Sequence, residues 1–248
     1  MQENKTASEN LVASQGIEKV PLSRRKFFSY AGISAAAIVV GTSCQKEFRG
    51  GRPNAPFAQD DPRNMPKNTV NLGSGDIGIL NYAYALEQLE AAFYIKVTSS
   101  FYAGITDKER TYLEDIRDHE IAHREFFKNA LGDKAIGNLL FNFSSINFSS
   151  RDSVLGTAKA FEDLGVAAYN GAGELLQSAD YLLIAGKIVS VEARHAATVR
   201  DLLSYGSFAG PDVIDGNGLD VVKTPPEVLA IASAYIETKI IANNLPTS

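Results

Sequence analysis

The chain has 248 residues, 45% of them hydrophobic, and a formal net charge of −5. Such a length suits one globular domain with some non-globular sequence beside it and argues against a second full domain. The mild charge, with no basic stripe to neutralise phosphates, speaks against a nucleic-acid partner.

Residues 1–44 read as a targeting segment rather than as part of the fold, because three features stand there in the order such segments need. Ser23-Arg24-Arg25-Lys26-Phe27-Phe28 comes first and resembles the twin-arginine export signal of bacteria. An apolar run over residues 27–40 follows, too short for the roughly 20 residues that span a bilayer as a helix. Gly41, Thr42 and Ser43 then lead to Cys44, the only cysteine, which has no partner for an internal disulfide. Its setting resembles a bacterial lipoprotein cleavage site, with Gly41 departing from the usual Leu. The expectation is export to an extracytoplasmic site, the periplasm or cell envelope, with Cys44 lipidated and the membrane as partner through that anchor. Residues 45–73 contain Pro53, Pro56, Pro62 and Pro66, too closely spaced for a helix, and read as a flexible linker. The folded domain is placed at residues 74–248.

From Ser74 the apolar residues recur with helical spacing. The first predicted helix starts after Ser74 or Asp76 and runs to about residue 98. Thr106-Asp107-Lys108-Glu109 is a capping box, in which hydroxyl and carboxylate each satisfy an orphan backbone donor, so a second helix starts there and ends before Gly132. A stretch rich in Gly, Asn, Ser and Phe follows, with a short turn expected near Ile136. A third helix follows Asp152 or Ser153 to about residue 177. A fourth starts near Ser178 and ends before Gly206. Thr224-Pro225-Pro226-Glu227 opens a fifth, shorter helix expected to reach about residue 243.

Short connections between helices one and two, and between three and four, make two antiparallel hairpins. Helices of about 25 residues are roughly 37 Å long, whereas about 20 extended residues reach over 60 Å, so the middle connection can cross the whole bundle. The hairpins also look like diverged copies. Glu87-x-Leu89-x-x-Ala92-x-Tyr94 matches Glu162-x-Leu164-x-x-Ala167-x-Tyr169, and each is followed about 30 residues later by Glu-x-x-His. The fold class is therefore all-α: a four-helix bundle of two antiparallel hairpins joined by one long crossover, with the short fifth helix appended.

The two Glu-x-x-His motifs are Glu120 to His123 and Glu192 to His195. Residues three apart on a helix share a face, so each motif offers one ion a carboxylate and an imidazole. Glu occurs 15 times and His three times, so two such pairs arise by chance in roughly 1% of shuffled chains. The other ligands should be single glutamates from helices one and three. Glu162 is the candidate in the third. Glu87 and Glu90 both qualify in the first, and the repeat favours Glu87, because it aligns with Glu162 and sets Glu90 against Gly165. Two divalent ions nearly balance four carboxylates, and an oxygen-rich set with two imidazoles suits iron or manganese. His119 lies one residue off the ligand face and is expected to be exposed. Tyr94 and Tyr169 read as core residues first and as hydrogen-bond partners of the ligands second.

These motifs resemble those of the ferritin-like superfamily, in particular the exported bacterial ferritin-like or desiccation-related proteins. Segments similar to Leu86-Glu87-Gln88-Leu89-Glu90-Ala91-Ala92-Phe93-Tyr94 and Phe161-Glu162-Asp163-Leu164-Gly165-Val166-Ala167-Ala168-Tyr169 occur there. The resemblance implies a ferritin-like bundle over residues 74–243 and two Fe or Mn ions held by Glu87, Glu120, His123, Glu162, Glu192 and His195. Peroxide or dioxygen chemistry in stress defence would follow from relatives such as rubrerythrin and manganese catalase, and a homodimer is compatible with it. The alternative is a non-catalytic stress or interaction protein that uses the bundle as a scaffold. Many di-iron relatives carry Asp-Glu-x-Arg-His, whereas this chain has Val191 before Glu192, and His119 before Glu120 with Ala122 in place of the Arg. Residues that orient the ligand imidazoles tune the metal, so the departure weakens the case for redox cycling.

Overall fold

The computed structural model describes residues 68–246. The residues read as a targeting segment, Cys44 and the stretch read as a linker up to residue 67 lie outside the described residues. In chain order the elements are β1 (Thr69–Asn71), α1 (Gly75–Ser99), α2 (Asp107–Leu131), a 3-10 turn (Gly132–Lys134), α3 (Arg151–Gly173), α4 (Ala179–Leu203), α5 (Pro225–Ala232) and β2 (Lys239–Ile241). The chain forms the expected all-α bundle, with α1 packed chiefly on α2 and α3 chiefly on α4. Among the described residues, no helix is long and apolar enough to cross a membrane.

Local chemistry sets the boundaries. The Thr106 hydroxyl accepts from the Glu109 amide while Glu109 accepts from the Thr106 amide, which fixes the start of α2. Ser150 caps α3 and Ser178 caps α4 through their hydroxyls. Thr224 and Glu227 form a second capping box, with prolines in the first turn of α5 where no amide donor is needed. Gly132 ends α2 at φ 54°, a conformation a side chain would strain.

Helix α1 is buried over most of its length, including the polar residues Asn81, Glu87, Gln88 and Glu90. The crossover over residues 132–150 lies along its outer side and explains this. Asn81 accepts from the Ile136 amide and donates to the Leu72 and Lys134 carbonyls, and Gln88 accepts from the Leu139 amide. Each buried amide thus satisfies backbone groups of a segment that has no ladder of its own. Phe93, the hub of the aromatic core, meets Phe143 and Phe148 of the crossover and Phe161 of α3.

Three expectations change. Residues 69–73 belong to the domain rather than to the linker: β1 pairs in parallel with β2, Thr69 opposite Lys239 and Asn71 opposite Ile241, and Leu72 is fully buried. The fifth helix stops at Ala232 instead of near residue 243, because the β-branched residues Ile240 and Ile241 enter this strand. The turn after α2 sits at Gly132–Lys134, before Ile136, whose amide is held by Asn81.

Candidate metal centre

Each of the four long helices contributes to one buried cluster. Glu87 of α1, Glu120 of α2, Glu162 of α3 and Glu192 of α4 are fully buried, His195 is 4% exposed, and His123 is partly buried. The distances repeat across the bundle. His123 Nδ1 lies 2.8 Å from Glu192 Oε1, 3.4 Å from Glu87 Oε2 and 3.7 Å from Glu120 Oε2. His195 Nδ1 lies 2.8 Å from Glu120 Oε1, 3.4 Å from Glu162 Oε2 and 3.8 Å from Glu192 Oε2. Each imidazole therefore faces the carboxylate of the opposite Glu-x-x-His motif, the single glutamate of its own hairpin and its own motif partner, as a pseudo-twofold axis requires.

Ligand atoms of Glu87, Glu120, His123 and Glu192 all lie within 4.8 Å of one another, and so do those of Glu120, Glu162, Glu192 and His195. Both groups contain Glu120 and Glu192. Hydrogen bonding distinguishes shared from unshared ligands. Tyr169 donates to Glu87 Oε1, and Tyr94 donates to Glu162 Oε1 at 2.5 Å, so these two glutamates each keep one oxygen free. Among the described residues, both oxygens of Glu120 and of Glu192 lack a hydrogen-bond partner, as do Nδ1 of His123 and of His195. The close imidazole contacts lack hydrogen-bond alignment. Buried polar atoms left this way are costly unless a cation or protons satisfy them. The donor set, rich in carboxylate oxygen with two imidazoles, fits a metal site, and Glu120 and Glu192 belong to both groups whereas Glu87 and Glu162 each belong to one.

The electrostatics show what the site does without an ion. Burial lowers the affinity of His195 for its proton, but Glu162 and the contact to Glu120 outweigh this and push its pKa up to about 12; His123 is likewise raised, chiefly by Glu87. Burial and the neighbouring Glu192 carboxylate push Glu120 up to about 8. Glu192 is held down at about 2, because the contacts to His123 and His195 overcome its burial. Protons thus supply the positive charge that the carboxylates demand.

The structure brings together all six residues picked from the sequence and leaves Glu90 outside both groups. Glu90 is buried nonetheless, 3% exposed, with its carboxyl group raised well above the usual range by burial and then by Glu192. Tyr94 and Tyr169 are not mere packing residues, since each reaches across to the glutamate of the other hairpin. A tyrosine two turns after the ligand glutamate in both repeats was the signal for this, because a buried phenol needs an acceptor. His119 is exposed, as expected, yet its Nδ1 lies 2.9 Å from His195 Nε2 and the rings stack. It orients His195 in place of the missing aspartate. Val191, at the matching position of the other motif, offers His123 no such partner.

The sequence model of the ferritin-like domain family matches residues 75–205, which takes in all four long helices and the six clustered side chains. No curated protein shows significant similarity to the chain. With the bundle, the crossover and the paired hairpins agreeing with that match, the chain belongs to the ferritin-like domain family.

Proposed function

We propose that the chain is an exported protein, lipid-anchored through Cys44, whose central cluster holds two iron or manganese ions and acts on peroxide or dioxygen in defence against oxidative stress. One observation carries the metal reading: two overlapping ligand groups converge on Glu120 and Glu192, whose oxygens have no other partner. Bound there, the ions would supply one-electron chemistry toward an oxygen substrate. The protein's own part is to pin Glu87 and Glu162 through Tyr169 and Tyr94, to orient His195 through His119, and to exclude water by burying the four carboxylates. The export and lipidation arguments rest on Arg24-Arg25 and on the setting of Cys44.

A specific observation favours the non-catalytic alternative. Among the described residues no carboxylate orients either imidazole from behind, and Val191 stands where His123 would need an orienting partner. Elemental analysis of the purified chain, followed by peroxide and dioxygen consumption, separates the readings. About two iron or manganese ions per chain with turnover above that of free metal supports the enzyme. The same metal content without turnover supports the scaffold, and absence of stoichiometric metal removes both metal roles. Mass spectrometry of Cys44 in the membrane fraction tests the anchor.

A further inference from the structure

The two ends of the bundle are packed differently although the hairpins are copies. Aligning Glu87 with Glu162 places Phe93 opposite Ala168 and Val97 opposite Ala172. Aligning Glu120 with Glu192 places Leu113 opposite Ala185. At one end Phe93, Val97 and Leu113 are all but fully buried and fill the space between the helices. At the other, the three alanines leave a cavity between all four long helices, with about 20 Å³ open to the centre of a water-sized molecule.

The inner wall of this cavity adjoins the candidate metal centre. Tyr169, which holds Glu87, lines it, as does Leu86, the residue before Glu87; Phe127 lines it one turn from His123. The lining is almost wholly apolar. Tyr82, also on the wall, has a buried hydroxyl with no hydrogen-bond partner, and the Tyr169 hydroxyl is already committed to Glu87. An ordered water needs two to four polar partners, and this space offers one. Hydrogen peroxide, with two donors to satisfy, is disfavoured on the same ground. A molecule without hydrogen-bonding groups has no such cost.

We infer that this cavity admits a small apolar molecule, dioxygen, to the Glu87 and His123 side of the cluster. The inference rests on the metal reading above for what dioxygen would meet there, and it narrows the choice of oxidant. At the opposite end Phe93, Val97 and Leu113 occupy the matching positions, so the two ends differ despite the symmetric cluster.

The test uses dioxygen as a paramagnetic probe on the metal-free chain, followed by methyl relaxation under oxygen pressure. The methyl of Ala168, fully buried like those of Val97 and Leu113, should relax several-fold faster than they do, as should those of Ala83 and Ala172. Ala172→Val, which copies the residue at the closed end, should abolish the excess with little change in Tm, and Ile184→Ala, which enlarges the space, should increase it. Equal relaxation at both ends, or an excess unchanged in both variants, would overturn the inference, as would an ordered water in the cavity of a crystal structure. Metal content, measured separately, decides the metal reading, so failure of one is distinguishable from failure of the other.

Discussion

The carboxylate of Glu90 lies over Gly165, so close that a Cβ on the glycine would stand 3.0 Å from Glu90 Oε1. These are the two positions that the internal repeat sets against each other, and the pseudo-twofold axis brings them face to face. Glu90 therefore occupies room that only a glycine leaves, and burial keeps it protonated well above the ordinary range. The folded chain then binds this proton where the unfolded chain has released it, so stability contributed at this position falls as pH rises above the unfolded value of about 4.5. Glu90→Gln keeps the shape and removes the titration. Its Tm should exceed that of the parent chain at pH 7.5 and match it at pH 4, with metal stoichiometry unchanged. A drop in bound metal would instead make Glu90 a ligand.

Shared and unshared ligands should behave differently on removal. Glu87→Ala or Glu162→Ala takes a ligand from one group only and should leave about half of the bound metal. Glu120→Ala or Glu192→Ala disrupts both groups and should abolish stoichiometric binding. Because Glu120, at about 8, and His195, at about 12, must lose protons to bind an ion, affinity should rise with pH over the range from 6 to 8. Titration calorimetry in buffers of different ionisation enthalpy would register the released protons.

Tyr94→Phe and Tyr169→Phe each strip a donor from a buried carboxylate. Either change should cost about 1–3 kcal/mol in the metal-free chain, the penalty for orphaning a buried acceptor. Urea unfolding measures it. The two losses should be similar in size, since the two bonds are related by the same axis.

Arg200 anchors the segment that follows α4. It is 3% exposed and holds Asp163 of α3 and Asp212 of the loop in paired contacts of 2.6–3.1 Å. Arg200→Ala should cost about 2–3 kcal/mol, below the full penalty for breaking a buried pair because Asp212 is half exposed. Hydrogen exchange should accelerate over residues 204–222 and remain unchanged at Glu120 and His123.

The periodicity, the capping boxes at Thr106 and Thr224 and the two Glu-x-x-His motifs are local signals, and each marks an element or a member of the buried cluster. The repeat favours Glu87 over Glu90, and of the two it is Glu87 that lies within the clustered groups. What escaped depends on groups distant in sequence. Asn81 and Gln88 look like stray polar residues in an apolar helix until the crossover supplies their partners. The tyrosine bonds run between hairpins, and a register one residue different would have left both phenols in the core. His119 sits one residue off the Glu120 and His123 face of its own helix and reaches His195 of another. Strands of three residues carry too little pattern to predict their pairing.

The pairing of β1 with β2 has a mechanical meaning. Leu72 donates to the Ile241 carbonyl and Lys239 to that of Asn68, while Thr238 joins Asn68 to the crossover backbone at Leu140. A pull on the chain at residue 68 would load this short parallel ribbon in shear before any strain reached α1. The four helices that hold the glutamates would keep their spacing while the ribbon took the force, so the cluster would be shielded from such a pull.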